Sequence, residues 1–120
     1  MEEKLNVEKV MKLIDMVGPS LGYDNTYYPM FPPGREDVCV VTRLAENGRD
    51  YGFDTAYAVW LEDGKMKYKE LKNTRSTKDY LSVNSVIILP DGSLEVNFGS
   101  AGMFSGTPWS ESVKLNFAKK

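Results

Sequence analysis

The sequence predicts an α+β, β-dominated domain. Its expected form is one N-terminal helix packed on a curved antiparallel meander sheet of five to six strands, as a small sandwich or partly closed barrel. Three observations predict it. Asn47-Gly48 and Asp63-Gly64 punctuate three apolar, strand-like runs between residues 38 and 71, and such dipeptides are strong hairpin signals because both central residues need positive φ. Period-2 apolar alternation returns in Leu94, Val96 and Phe98 and in Val113, Leu115 and Phe117. Helical spacing appears once, in residues 6–17.

That helix carries Val7, Val10, Met11, Ile14 and Val17 on one face, widened by Leu13 and Met16. Asn6 is placed to cap it, and Glu8 in the first turn suits the helix dipole. Gly18 and Pro19 end it. Residues 18–37 hold four of the six prolines and read as a long ordered loop rich in tyrosine.

Two-residue turns at Asn47-Gly48 and Asp63-Gly64 fix a register. Leu44 then faces Tyr51, Thr42 faces Phe53 and Val40 faces Thr55, while Leu61 faces Met66 and Val59 faces Tyr68. Side chains alternate along a strand. One face, expected as the core, collects Val38, Val40, Leu44, Tyr51, Phe53, Tyr57, Val59, Leu61, Met66 and Tyr68. The opposite face collects Cys39, Val41, Arg43, Asp54, Ala56, Ala58, Trp60, Lys65, Lys67 and Lys69, and divides into a small-residue seat for the helix (Cys39, Val41, Ala56, Ala58) and a wet end with Trp60 among the lysines. Residues 72–79 are a polar loop. Strands at 80–89 and 93–98 flank Pro90-Asp91-Gly92, which fits either a two-residue turn or a type I turn with a bulge. The last strand spans 112–117.

The 120 residues read as a single domain, with a formal net charge of −2 that carries no whole-chain attraction to nucleic acid or anionic lipid. Cys39 is the only cysteine and there is no histidine, so no internal disulfide and no Ser-His or Cys-His nucleophile can be built. No cofactor or metal is expected. No run of about 20 apolar residues is present to span a bilayer, and a cytoplasmic chain without membrane contact is expected.

Two surfaces are candidates for function. The 22–34 and 99–109 loops bring Tyr23, Tyr27, Tyr28, Met30, Phe31, Phe104 and Trp109. Meeting at one end of the sheet, they would bind a small ligand or a protein partner. Tyr23, Tyr27, Tyr28, Phe31, Phe104 and Trp109 are the expected contact residues of such a non-catalytic binding module. The alternative is polyanion or nucleic-acid binding by the basic stretch 65–78, through Lys65, Lys67, Lys69, Lys72 and Arg75 with Trp60 for stacking. Its competing explanation is an edge strand guarded by lysines. The carboxylates Asp24, Glu36, Asp37, Asp50 and Asp54 have no spacing that pairs any two for acid–base chemistry, and no catalytic residue is assigned. The final strand can pair within the sheet or across a homodimer.

Overall fold

A computed structural model describes residues 4–17, 26–47, 50–74, 80–102 and 106–117. The elements are α1 (Val7–Val17), β1 (Thr26–Met30), β2 (Val38–Asn47), β3 (Asp50–Glu62), β4 (Lys65–Asn73), β5 (Ser82–Ile88), β6 (Leu94–Ser100) and β7 (Trp109–Leu115). They form two antiparallel sheets, a four-stranded one in the order β1-β2-β3-β4 and a three-stranded one in the order β5-β6-β7. This corrects the expected single curved meander of five to six strands. Neither sheet closes into a barrel. The chain breaks from one sheet to the other after β4. Thr74 N–H donates to Asp54 C=O and Leu81 N–H to Phe53 C=O, so Thr74 and Leu81 both sit against β3 before β5 begins the second sheet.

A second correction lies in the Pro-rich stretch. Residues 26–30 are not loop but the edge strand β1, with Tyr28 opposite Thr42 and Pro29 opposite Val41. The Thr42 hydroxyl donates to Tyr28 C=O at 3.4 Å, so that carbonyl points toward β2. By alternation the Pro29 nitrogen points out of the sheet edge, where no N–H is required.

The register of the first hairpin also differs from expectation. Asn47 pairs with Asp50, already off the register of an Asn47-Gly48 turn, and Gly48 itself lies outside the described residues. A bulge between Arg43 and Leu44 shifts it again, and Val40 meets Ala58 rather than Thr55. The net offset of three is odd, so β2 changes faces relative to β3. Val38 and Val40 share a face with Ala56, Ala58 and Trp60, while Cys39 and Val41 share one with Tyr57, Val59 and Leu61. The second hairpin has the expected pairs, Leu61 with Met66 and Val59 with Tyr68. Asp63 (φ 53°) and Gly64 (φ 77°) form its turn. The side chain of Tyr51 lies outside the described residues.

The four-stranded sheet is therefore buried on both sides. One core joins Val38, Val40, Ala56 and Ala58 to Leu94, Val96 and Phe98 of the second sheet. The other seats Leu5, Val10 and Ile14 of the helix segment on Cys39, Val41, Tyr57 and Val59. The helix thus covers only half of the small-residue seat assigned to it, because Ala56 and Ala58 face the second sheet. Asn6 caps the helix as expected: its Oδ1 accepts from Lys9 N–H at 3.2 Å. Val7 and Met16 remain exposed, so the buried stripe is narrower than the apolar one. Around Pro90-Asp91-Gly92, Leu89 N–H donates to Ser93 C=O and Gly92 has φ 88°, the longer, bulged form of the turn.

Candidate functional site

The described members of the two aromatic loops go to different places. Tyr27 packs with the helix-side core. Tyr28, next in an extended strand, points to the opposite face. There it meets the Phe53 ring edge-on at 5.5 Å between centroids. Trp109 is not a loop residue but the first of β7, packed against the inter-sheet core. The Lys72 Nζ lies 4.9 Å from the Trp109 ring centroid and donates to Glu111 Oε1 at 2.8 Å. Trp109 is thus held at β4, the opposite edge of the four-stranded sheet from β1. Tyr23 and Phe104 lie outside the described residues. Tyr28, Met30 and Phe31, neighbours in sequence at the end of β1, are 44%, 38% and 38% exposed.

β1 is the terminal strand of its sheet, and the Lys72–Glu111 ion pair joins β4, the other terminal strand, to β7. Neither β1 (Thr-Tyr-Tyr-Pro-Met) nor β5 (Ser-Val-Asn-Ser-Val-Ile-Ile) contains a charged residue. Of the other two edge strands, β4 carries Lys65, Lys67, Lys69, Glu70 and Lys72, and β7 carries Glu111 and Lys114.

The basic stretch is divided too. Trp60 packs on Phe117 with 5.2 Å between ring centroids, and its Nε1 donates to Glu62 Oε1 at 3.4 Å. Its ring is half-buried rather than a free stacking platform. Lys72 is engaged as described, and Arg75 lies outside the described residues. Lys65, Lys67 and Lys69 are exposed on the same face of β4, opposite Glu62, Trp60 and Ala58.

Of the carboxylates singled out in the sequence, Glu36, Asp37 and Asp54 each have a cationic partner, while Asp24 and the side chain of Asp50 lie outside the described residues. Glu36 meets Lys4 at 3.5 Å. Asp37 accepts the two-pronged Arg35 fork at 2.7 and 3.0 Å, and that hydrogen bonding lowers its pKa despite the opposing effect of partial burial. Asp54 is the residue that sequence reasoning undervalued. It is the extra residue of the β2–β3 bulge, since Leu44 pairs with Phe53 and Arg43 with Thr55. Bulges re-aim side chains. Here the carboxylate meets the fully buried Arg43, with Oδ1 accepting from Nε at 3.1 Å and Nη2 at 2.8 Å, and Oδ2 from Nη2 at 2.6 Å. The Thr55 hydroxyl adds a bond to Oδ1 at 3.0 Å. Arg43 Nη1 has no hydrogen-bond partner among the described residues. The sequence placed Arg43 and Asp54 on one face, but only the bulge brings their charges together.

Among the described residues, no group of three or more His, Cys, Asp or Glu side chains could hold a metal ion. Nor is any helix long and apolar enough to cross a membrane. Cys39 is buried beneath the helix, and that burial pushes its thiol up to about 12. An open groove of about 430 Å³ lies between the start of the helix and the β3–β4 hairpin, with Leu5, Leu61 and Met66 as its apolar lining and Lys4 and Lys9 beside them.

Fold and surface together define an α+β domain of one helix and two antiparallel sheets, whose edge strands β1 and β5 are uncharged while β4 and β7 carry charge. Compared with known proteins, the chain matches no family model, no curated protein and no solved structure.

Proposed function

We propose that this chain is a non-catalytic protein-interaction domain whose contact side is the β1 edge. The observation that carries this reading is the exposure of Tyr28 and Met30 on an edge strand without charged residues, with the exposed Phe31 directly after it. Aromatic residues and methionine are the types enriched in protein interfaces, and charged residues are depleted from interface cores. An edge strand free of charge is also one that proteins ordinarily guard. Pro29 limits backbone pairing there, so the contact is made by side chains rather than by an added strand. The dispersal of Tyr27 and Trp109 favours a surface contact over a small-ligand pocket shared by the two aromatic loops.

A photo-crosslinking amino acid at Met30 tests this in cells producing the chain. It is expected to give discrete protein adducts that disappear when Tyr28→Ser and Phe31→Ser are added. The same crosslinker at Ser110, on a polar and exposed position of β7, is expected to give none. Equal labelling from both positions, or no adduct from Met30, would refute the proposal.

A further inference from the structure

The opposite edge of the same sheet has different chemistry. β4 is the terminal strand, and its first five residues run in regular register from Lys65 opposite Glu62 to Lys69 opposite Ala58. The Asp63-Gly64 turn has two residues, both with positive φ, so the flanking Glu62–Lys65 pair is a hydrogen-bonded one. Alternation then turns the backbone groups of Lys65, Lys67 and Lys69 toward β3. The N–H and C=O groups of Met66 and Tyr68 turn outward. No backbone group among the described residues pairs with them.

The side chains repeat this order. Lys65, Lys67 and Lys69 project from one face at intervals of about 6.7 Å, twice the rise per residue. The ion pairs of the described residues use Lys4, Arg35, Arg43, Lys72 and Lys114, and none of these three lysines. Glu62 stands opposite Lys65, but its carboxylate accepts from Trp60 instead. On the other face Met66 borders the open groove, and Tyr68 is 46% exposed.

We infer that the open edge of β4 takes up an extended acidic segment of a partner protein, one in which Asp or Glu alternates with apolar residues, as an added fifth strand. The period of two in such a segment matches the period of two in β4. Its backbone bonds the outward groups of Met66 and Tyr68. Its carboxylates then fall opposite the three lysines at non-hydrogen-bonded positions, where facing side chains are closest. Its apolar residues fall opposite Met66 and Tyr68, on the side of the groove. Lysines that repel basic edges, and would be buried unpaired against neutral ones, select an acidic edge by the same charge. A nucleic acid could use the charges but not the backbone groups or the alternation, and Trp60 is already packed.

Fluorescence anisotropy with the full chain and a labelled peptide, Gly-Glu-Val-Glu-Val-Glu-Val-Gly, tests this. The alternating peptide is expected to bind about tenfold more tightly than a block-sequence peptide of the same composition, Gly-Glu-Glu-Glu-Val-Val-Val-Gly. Lys67→Glu with Lys69→Glu is expected to abolish that binding and to transfer preference to the Lys-for-Glu peptide. Both positions are exposed, and unchanged circular dichroism will establish that the variant is folded. Peptide binding is also expected to slow amide hydrogen exchange at Met66 and Tyr68. Equal binding of the block-sequence peptide or of oligo-deoxythymidine would reduce the surface to a nonspecific polyanion contact and overturn the inference. So would absence of binding at low salt. None of these outcomes involves Tyr28 or Phe31, so the β1 reading stands or falls separately.

Discussion

Arg43 and Asp54 show how much can hang on one inserted residue. A buried ion pair contributes little net stability because desolvating both charges offsets their attraction. Removing one partner is different. Asp54→Asn leaves the Arg43 guanidinium uncompensated in a site with no solvent exposure, and the expected loss is about 3–5 kcal/mol. The double variant Arg43→Met, Asp54→Val is expected to lose less, since Arg43 Nη1 already lacks a hydrogen-bond partner among the described residues and neither charge remains. Urea unfolding of wild type, single and double variants measures this. A double variant as unstable as the single one would contradict it. The sequence holds both residues in plain view, but a bulge has no signature that alternation alone reveals. Alternation alone therefore makes the extra residue an ordinary outward-facing one.

At the scale of the element, the clearest case is the β5–β6 turn. Asp91 Oδ1 accepts from the Ser93 hydroxyl and from Ser93 N–H at 2.9 Å, and Oδ2 lies 3.4 Å from Lys114 Nζ. The Ser93 bonds, with Lys114 assisting, hold the Asp91 carboxyl down at about 2. The sign follows from linkage. A folded-state value below the unfolded one, about 3.9, favours folding once the pH exceeds the unfolded value. That contribution fades as the pH falls from about 4 to about 2. Carbon-detected NMR titration should place Asp91 near the lower limit in wild type, and Ser93→Ala should return it toward the ordinary carboxylate range. A wild-type midpoint near 4 would rule the arrangement out. The turn's sequence, Pro90-Asp91-Gly92, announced a reversal and allowed two forms. The Leu89–Ser93 hydrogen bond identifies the bulged one. The hairpin at Asp63-Gly64 was readable in full because two residues of positive φ leave one register.

Across the whole molecule, the four-stranded sheet is a partition between two cores, and the helix seals only one of them. Ile14 is fully buried on the helix side. Ile14→Ala is expected to cost about 2–5 kcal/mol, as for other large-to-small core changes. Cys39 offers a reporter for the same seal. Its thiol is fully buried, and burial pushes it up to about 12, so native protein at pH 8 should be silent toward a disulfide reagent. Val10→Asp with Ile14→Asp should make it reactive by undocking the helix. Rapid labelling of the wild type, or a silent thiol in the double variant with the helix demonstrably released, would show that the helix is not the cover.

The sequence by itself determined the single capped helix, the antiparallel strand-turn-strand character and the Asp63-Gly64 register. Each follows from interactions spanning only a few residues: a cap, a periodicity, a pair of positive-φ positions. Only the tertiary structure decided that there are two sheets rather than one. It also decided that Tyr27 and Tyr28 face opposite sides, and that Trp109 belongs to β7 while β1 forms from a proline-bearing stretch. These depend on where the chain leaves one sheet for the next and on an odd register offset set by a turn and a bulge. Local patterning is the same on either side of such a step, because a strand buried on both faces has no polar side to mark its orientation.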